Sequence, residues 1–134
     1  MVSNSEIKSI IYRIIKGSAL ETEIVSKGGK LYRDAKPTNS LTEDIVISVL
    51  TNRNAQYQPA IVNVNIYVPD IRRDYDFIED GSRIKTLEAK AIELLNEVVG
   101  SEYLVKLDVQ ETYKVLDVNQ HCINNRLVIT LLNL

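Results

Sequence analysis

A chain of 134 residues, 45% apolar and 25% charged, fits one soluble domain spanning residues 1–134, long enough to bury roughly two-thirds of its unfolded surface without a staple. Its net charge of -2 supplies no field to recruit nucleic acid or an anionic membrane. Cys122 is the only cysteine, no run approaches the ~20 apolar residues of a membrane span, and MVSNSEIKSI lacks the parts of a secretory signal, so a cytoplasmic protein is expected.

The first element in chain order is a helix. Ser3 and Glu6 have capping-box spacing, Ile7, Ile10, Ile11, Ile14 and Ile15 make one apolar stripe, and Gly17 stands where a left-handed cap belongs. Residues 22–26 (TEIVS) and 30–33 (KLYR) flank Gly28 and Gly29 and predict a small hairpin. DAKPTNSLTE is turn chemistry. DIVISVLT, residues 44–51, is apolar on both alternating sets, which predicts a central strand covered on both faces. It pairs with VNVNIYV, residues 62–68, across a connection short enough for an antiparallel pair.

VNVNIYV has a clear period of two. Val62, Val64, Ile66 and Val68 form a core face, whereas the other face carries Asn63, Asn65 and Tyr67, neutral hydrogen-bonding groups where Lys or Glu would be usual. DIRRDYDFIEDGS reads as a charged loop leading to a helix with Ile84, Leu87, Ala91, Leu94, Leu95 and Val98 at helical spacing, capped by Asp80 or Ser82. Three strands close the chain: EYLVKLDVQ, with Tyr103, Val105, Leu107 and Val109 on one face, then TYKVLDV and RLVITLLNL, with Asn124 and Asn125 as turn residues. The order predicts an α+β domain, a mainly antiparallel β-sheet with two principal helices packed on one face and a small β-hairpin extension.

The search for chemistry finds little. The carboxylates Asp70, Asp74, Asp76, Glu79 and Asp80 lack EF-hand spacing and are explained by a solvated loop before a helix. His121 and Cys122 are adjacent, so on a strand they face opposite ways, and no second His or Cys completes a zinc site. Gly28-Gly29 lacks the P-loop spacing. No catalytic, metal or cofactor site is expected.

The order of elements resembles the phage tail terminator and related tail-completion and head–tail joining proteins. The resemblance rests on the N-terminal helix, GGKLYRDAKP, the paired EDIVISVL and VNVNIYVPD, the helix LEAKAIELLNEVV and the terminal RLVITLLNL, and it covers residues 5–134. DIRRDYDFIEDGS departs from it, being longer and more charged than the family's connection. The resemblance implies a non-enzymatic structural protein, a homo-oligomeric and generally hexameric ring that caps the tail tube and meets the head connector. Its partners would be tail tube and head–tail connector proteins, and its location the host cytoplasm during assembly and then the virion. Lys27, Lys30, Tyr32, Arg33, Gln56, Gln58, Asn63, Asn65 and Tyr67 are the candidates for its contacts. The alternatives are a dimeric α+β module that binds a peptide or small ligand by strand addition, and a small hydrolase or nuclease using Glu43 and Asp44.

Overall fold

The computed structural model describes residues 1–38 and 40–132. The predicted loop residue Asn39 and the last two residues of RLVITLLNL lie outside the described residues. Three helices accompany a six-stranded sheet and a separate two-stranded sheet, an α+β architecture.

The first helix, α1 (Asn4–Ile15), starts where Ser3 Oγ accepts from the Glu6 amide at 3.2 Å and stops before Gly17, whose φ is +79°. The expected hairpin over residues 22–33 does not form. Residues 22–26 belong to a second helix, α2 (Ala19–Ser26), because Ser18 and Glu21 act as a cap. Ser18 Oγ accepts from the Glu21 amide at 3.2 Å, and the Glu21 carboxylate accepts from the Gly17 amide at 2.9 Å. Leu20 and Ile24, four apart, then bury one side of that helix. The short strand β1 (Lys30–Tyr32) runs parallel to β2 (Asp44–Asn52), so the segment is a helix–turn–strand.

The expected antiparallel pairing holds: β2 lies between β1 and β3 (Tyr57–Pro69), with Ile45 opposite Ile66 and Ile47 opposite Val64. The charged loop after β3 is a hairpin of β4 (Ile71–Arg73) and β5 (Asp76–Ile78), which turns at Asp74 with φ of +57°. The third helix, α3 (Gly81–Leu95), begins where Asp80 accepts from the Arg83 amide. It ends earlier than its apolar pattern suggested, because Val98 belongs to β6 (Glu97–Val99) and pairs with Val105.

The closing strands also differ from expectation. EYLVKLDVQ and the first three residues of TYKVLDV are one strand, β7 (Tyr103–Lys114), with a bulge between Leu107 and Val109. The bulge turns Val109 to the opposite face from Val105 and Leu107, and this breaks the alternation that reading by period two requires. Asn124 and Asn125 are not turn residues. They lie inside β8 (Gln120–Leu132), and the turn falls earlier, at residues 115–119, where Asp117 takes the left-handed conformation with φ of +61°.

The sheet order is β1-β2-β3-β8-β7-β6. One core joins its helix-covered face to the three helices: Ile7, Ile11 and Ile15 of α1, Leu20 and Ile24 of α2, and Leu87, Ala91 and Leu95 of α3, against Ile45, Ile47, Val62, Val64, Ile66, Ile123, Leu127 and Ile129.

Candidate interaction surface

The strand registers determine what the other face of the sheet presents. One row across it runs Lys30, Asp44, Tyr67, Cys122, Tyr113; the next runs Tyr32, Val46, Asn65, Asn124, Glu111; a third runs Ser48, Asn63, Arg126, Val109. Five of the predicted contact residues, Lys30, Tyr32, Asn63, Asn65 and Tyr67, therefore share one face. No helix among the described residues covers it, and Asn63, Asn65, Tyr67, Asn124 and Arg126 are half-buried.

The amides of this face bond across strands. Asn124 Nδ2 donates to Asn65 Oδ1 at 2.7 Å and to Asn63 Oδ1 at 3.2 Å, so a neutral ladder ties β3 to β8. Arg126 lies next in that strip, and its Nε is buried without a hydrogen-bond partner. At the other end of the face, the loop after β1 folds over the sheet. Lys36 places its ammonium 4.8 Å from the Tyr67 ring centroid and donates to Gln120 Oε1 at 3.3 Å, while Gln120 Nε2 donates to the Ser40 carbonyl at 3.0 Å. Cys122 is fully buried between Tyr67 and Tyr113, and burial pushes its thiol up from its ordinary value. Its hydrogen bond with Tyr113, together with burial, pushes that phenol up to about 12.

The remaining predicted residues lie elsewhere. Lys27 ends α2. Arg33 stacks its guanidinium 4.6 Å from the Tyr12 ring centroid and donates to Ser9 Oγ. Gln56 is exposed in the connection between β2 and β3, at the far end of the sheet from Tyr67. Gln58 is fully buried and serves the chain internally: its Oε1 accepts from the Val2 amide and its Nε2 donates to the Val2 carbonyl, each at 2.9 Å, and to Asn52. Asn124 was missed because its segment reads as turn chemistry, and Arg126 because it opens an expected strand whose register against β3 the sequence does not show. The available signal was the alternation of Ile123, Leu127, Ile129 and Leu131 on one set, interrupted only by Asn125.

The carboxylates considered for hydrolysis are engaged in structure. Glu43 receives Arg83 Nε and Nη2, each at 2.8 Å, and Arg83 Nη1 reaches Glu23 at 2.9 Å. Asp44 is fully buried and accepts from Ser40, Thr42 and the Lys30 amide. Asp70 meets His121 Nδ1 at 2.7 Å and Lys114 at 3.3 Å. Among the described residues no group of three or more His, Cys, Asp or Glu could hold a metal, and no helix is long and apolar enough to cross a membrane.

These elements define an α+β domain with helices on one side of a mostly antiparallel sheet and a polar face on the other. The sequence matches no protein family and no curated protein. The fold does have counterparts among solved structures. One is a chain from the virion of a native gene transfer agent (GTA) particle, similar over 99% of this chain and 100% of that one, with a TM-score of 0.63 at 12% identity.

Proposed function

We propose that this chain is a non-enzymatic structural subunit of a phage or phage-like particle, which forms a ring that caps the tail tube and joins it to the head connector. The observation that carries the reading is the likeness, over the whole of both chains, to a component of a gene transfer agent virion. The part of the sheet face left open by the helices and the β1–β2 loop supports the same reading. A neutral amide ladder suits a boundary between subunits, where charges are costly to bury. The expected partners are further copies of the chain, tail tube subunits and connector proteins, met in the host cytoplasm during assembly and retained in the virion.

Replacing Asn63 and Asn65 by Lys tests this reading. The pair puts two charges into the ladder without touching the Val62–Val68 core, so the variant should keep its fold and sediment as smaller species than wild type. Normal rings from it would remove the face from the proposed contact.

A second reading, strand addition by a peptide, is favoured by one feature. Because β1 covers only Asp44–Val46, the outward edge of Ile47–Asn52 has no strand partner among the described residues.

A further inference from the structure

The β4–β5 hairpin leaves the main sheet beside the Pro69–Gln120 pair and forms a two-stranded sheet of its own. Tyr75, at its turn, is 93% exposed, and Phe77 lies under the Arg72 guanidinium within the hairpin itself. The hairpin is held to the domain at its two legs. Asp70 stands before β4 and Glu79 after β5, and both carboxylates come to one side chain of β8, His121.

The two contacts differ. The Asp70 side chain is fully buried and meets His121 Nδ1 at 2.7 Å, whereas Glu79 is largely exposed, with its carboxylate 3.9 Å from Nε2. A carboxylate only accepts, so Nδ1 carries the hydrogen of the short bond in either charge state of the ring. A neutral imidazole then turns a lone pair at Nε2 toward Glu79, and an imidazolium turns an N–H toward it. Protonation therefore makes the contact with the second leg attractive and leaves the first in place.

The other groups around the ring leave this role to Glu79. Lys114 lies opposite His121 on β7, places its ammonium 3.3 Å from the second oxygen of Asp70 and donates to the Val118 carbonyl, so the Asp70 charge is already answered. Val68, opposite on β3, is uncharged, and Asp117 is exposed in the 115–119 turn. From α3, Arg83 is held by Glu23 and Glu43, and Glu88 accepts from Thr112 at 2.6 Å.

We infer that His121 is a pH-operated clamp on the β4–β5 hairpin: the charged ring holds both legs, and the neutral ring holds the Asp70 leg alone. The clamped arrangement favours the protonated ring, so it is fully present below the midpoint of the His121 titration and is lost as pH rises through it. Glu79 immediately precedes Asp80, the cap of α3, so the clamp also governs how the hairpin departs from that helix. The geometry is internal to one chain, and the clamp does not depend on the assembly reading.

His121 is the only histidine, so its ring-proton signals in nuclear magnetic resonance follow its charge without overlap. Solvent exchange of the amides of residues 71–78 is measured in parallel from about pH 5.5 to 8.5, where carboxylates and lysines ordinarily keep their charge, and is corrected for its intrinsic pH dependence. An ion pair to an exposed carboxylate is weak, so protection of the hairpin should fall about two- to fivefold, with the midpoint of the ring titration, while that of β3 stays constant. Glu79→Gln, at an exposed position, should keep the fold and the Asp70 contact and give a hairpin whose protection no longer changes with pH. His121→Gln should do the same. Hairpin protection that stays level while the ring titrates overturns the inference, as does an unchanged pH response in Glu79→Gln or a ring that holds one charge state across the whole range.

Discussion

Gln58 shows how a single buried side chain can anchor the segment that leads into a helix. Its amide holds both backbone groups of Val2, which places the residues before α1 on the end of the sheet. Gln58→Ala leaves the Val2 amide and carbonyl without these partners and should cost ~1–3 kcal/mol in denaturant unfolding. A second residue-scale prediction concerns Cys122 and Tyr113. The folded chain holds the Tyr113 proton more tightly than the unfolded chain does, with a phenol near 12 against the ~10 of a free tyrosine. Stability from this source is complete below about pH 10 and is lost as pH rises through the folded value. Near-ultraviolet absorbance should therefore show late-titrating tyrosine, to which the half-buried Tyr67 also contributes, and the late amplitude should fall in Tyr113→Phe. The buried Cys122 thiol should resist thiol reagents until the protein unfolds.

Among the elements, the β1–β2 approach depends on a glycine. A Cβ on Gly29 would lie 1.5 Å from the Glu43 carbonyl oxygen, a clash that only backbone movement relieves. At Gly17 a Cβ meets nothing within 4 Å, and the obstacle is the positive φ alone. Gly17→Ala should cost ~1–2 kcal/mol; Gly29→Ala should lower the melting temperature further and loosen β1. Much of this level was legible in the sequence. The stripe of α1, its Ser3 cap and Gly17 stop, the Asp80 cap of α3 and the pairing of β2 with β3 all follow from local patterns. The losses have physical causes. The pair Gly28-Gly29 signals a hairpin by composition, but the Ser18–Glu21 cap and the Leu20–Ile24 face settle residues 19–26 as helix. The bulge after Leu107 shifts the strand period, and Asn125, buried under the helices and donating to the Val64 carbonyl at 3.2 Å, looks like a turn residue when its partners are unseen. Of the polar face, the β3 contribution was readable from VNVNIYV, whereas Asn124 and Arg126 required the β3–β8 register.

At the scale of the molecule, the sheet divides the domain into a side that folds and a side that remains available. Helices and core occupy one face, and the amide rows, Arg126 and the rows' tyrosines occupy the other. Among the described residues, strand edges without a partner strand and an exposed aromatic hairpin add further open surface. The proposed role as a particle subunit would use these surfaces. The most direct measurement is electron microscopy of tail tubes polymerised with and without the purified protein. A tail-capping ring should give tubes of limited length with a ring of this protein at one end. Tubes that grow to the same length in its presence and carry no added density at either end would contradict it.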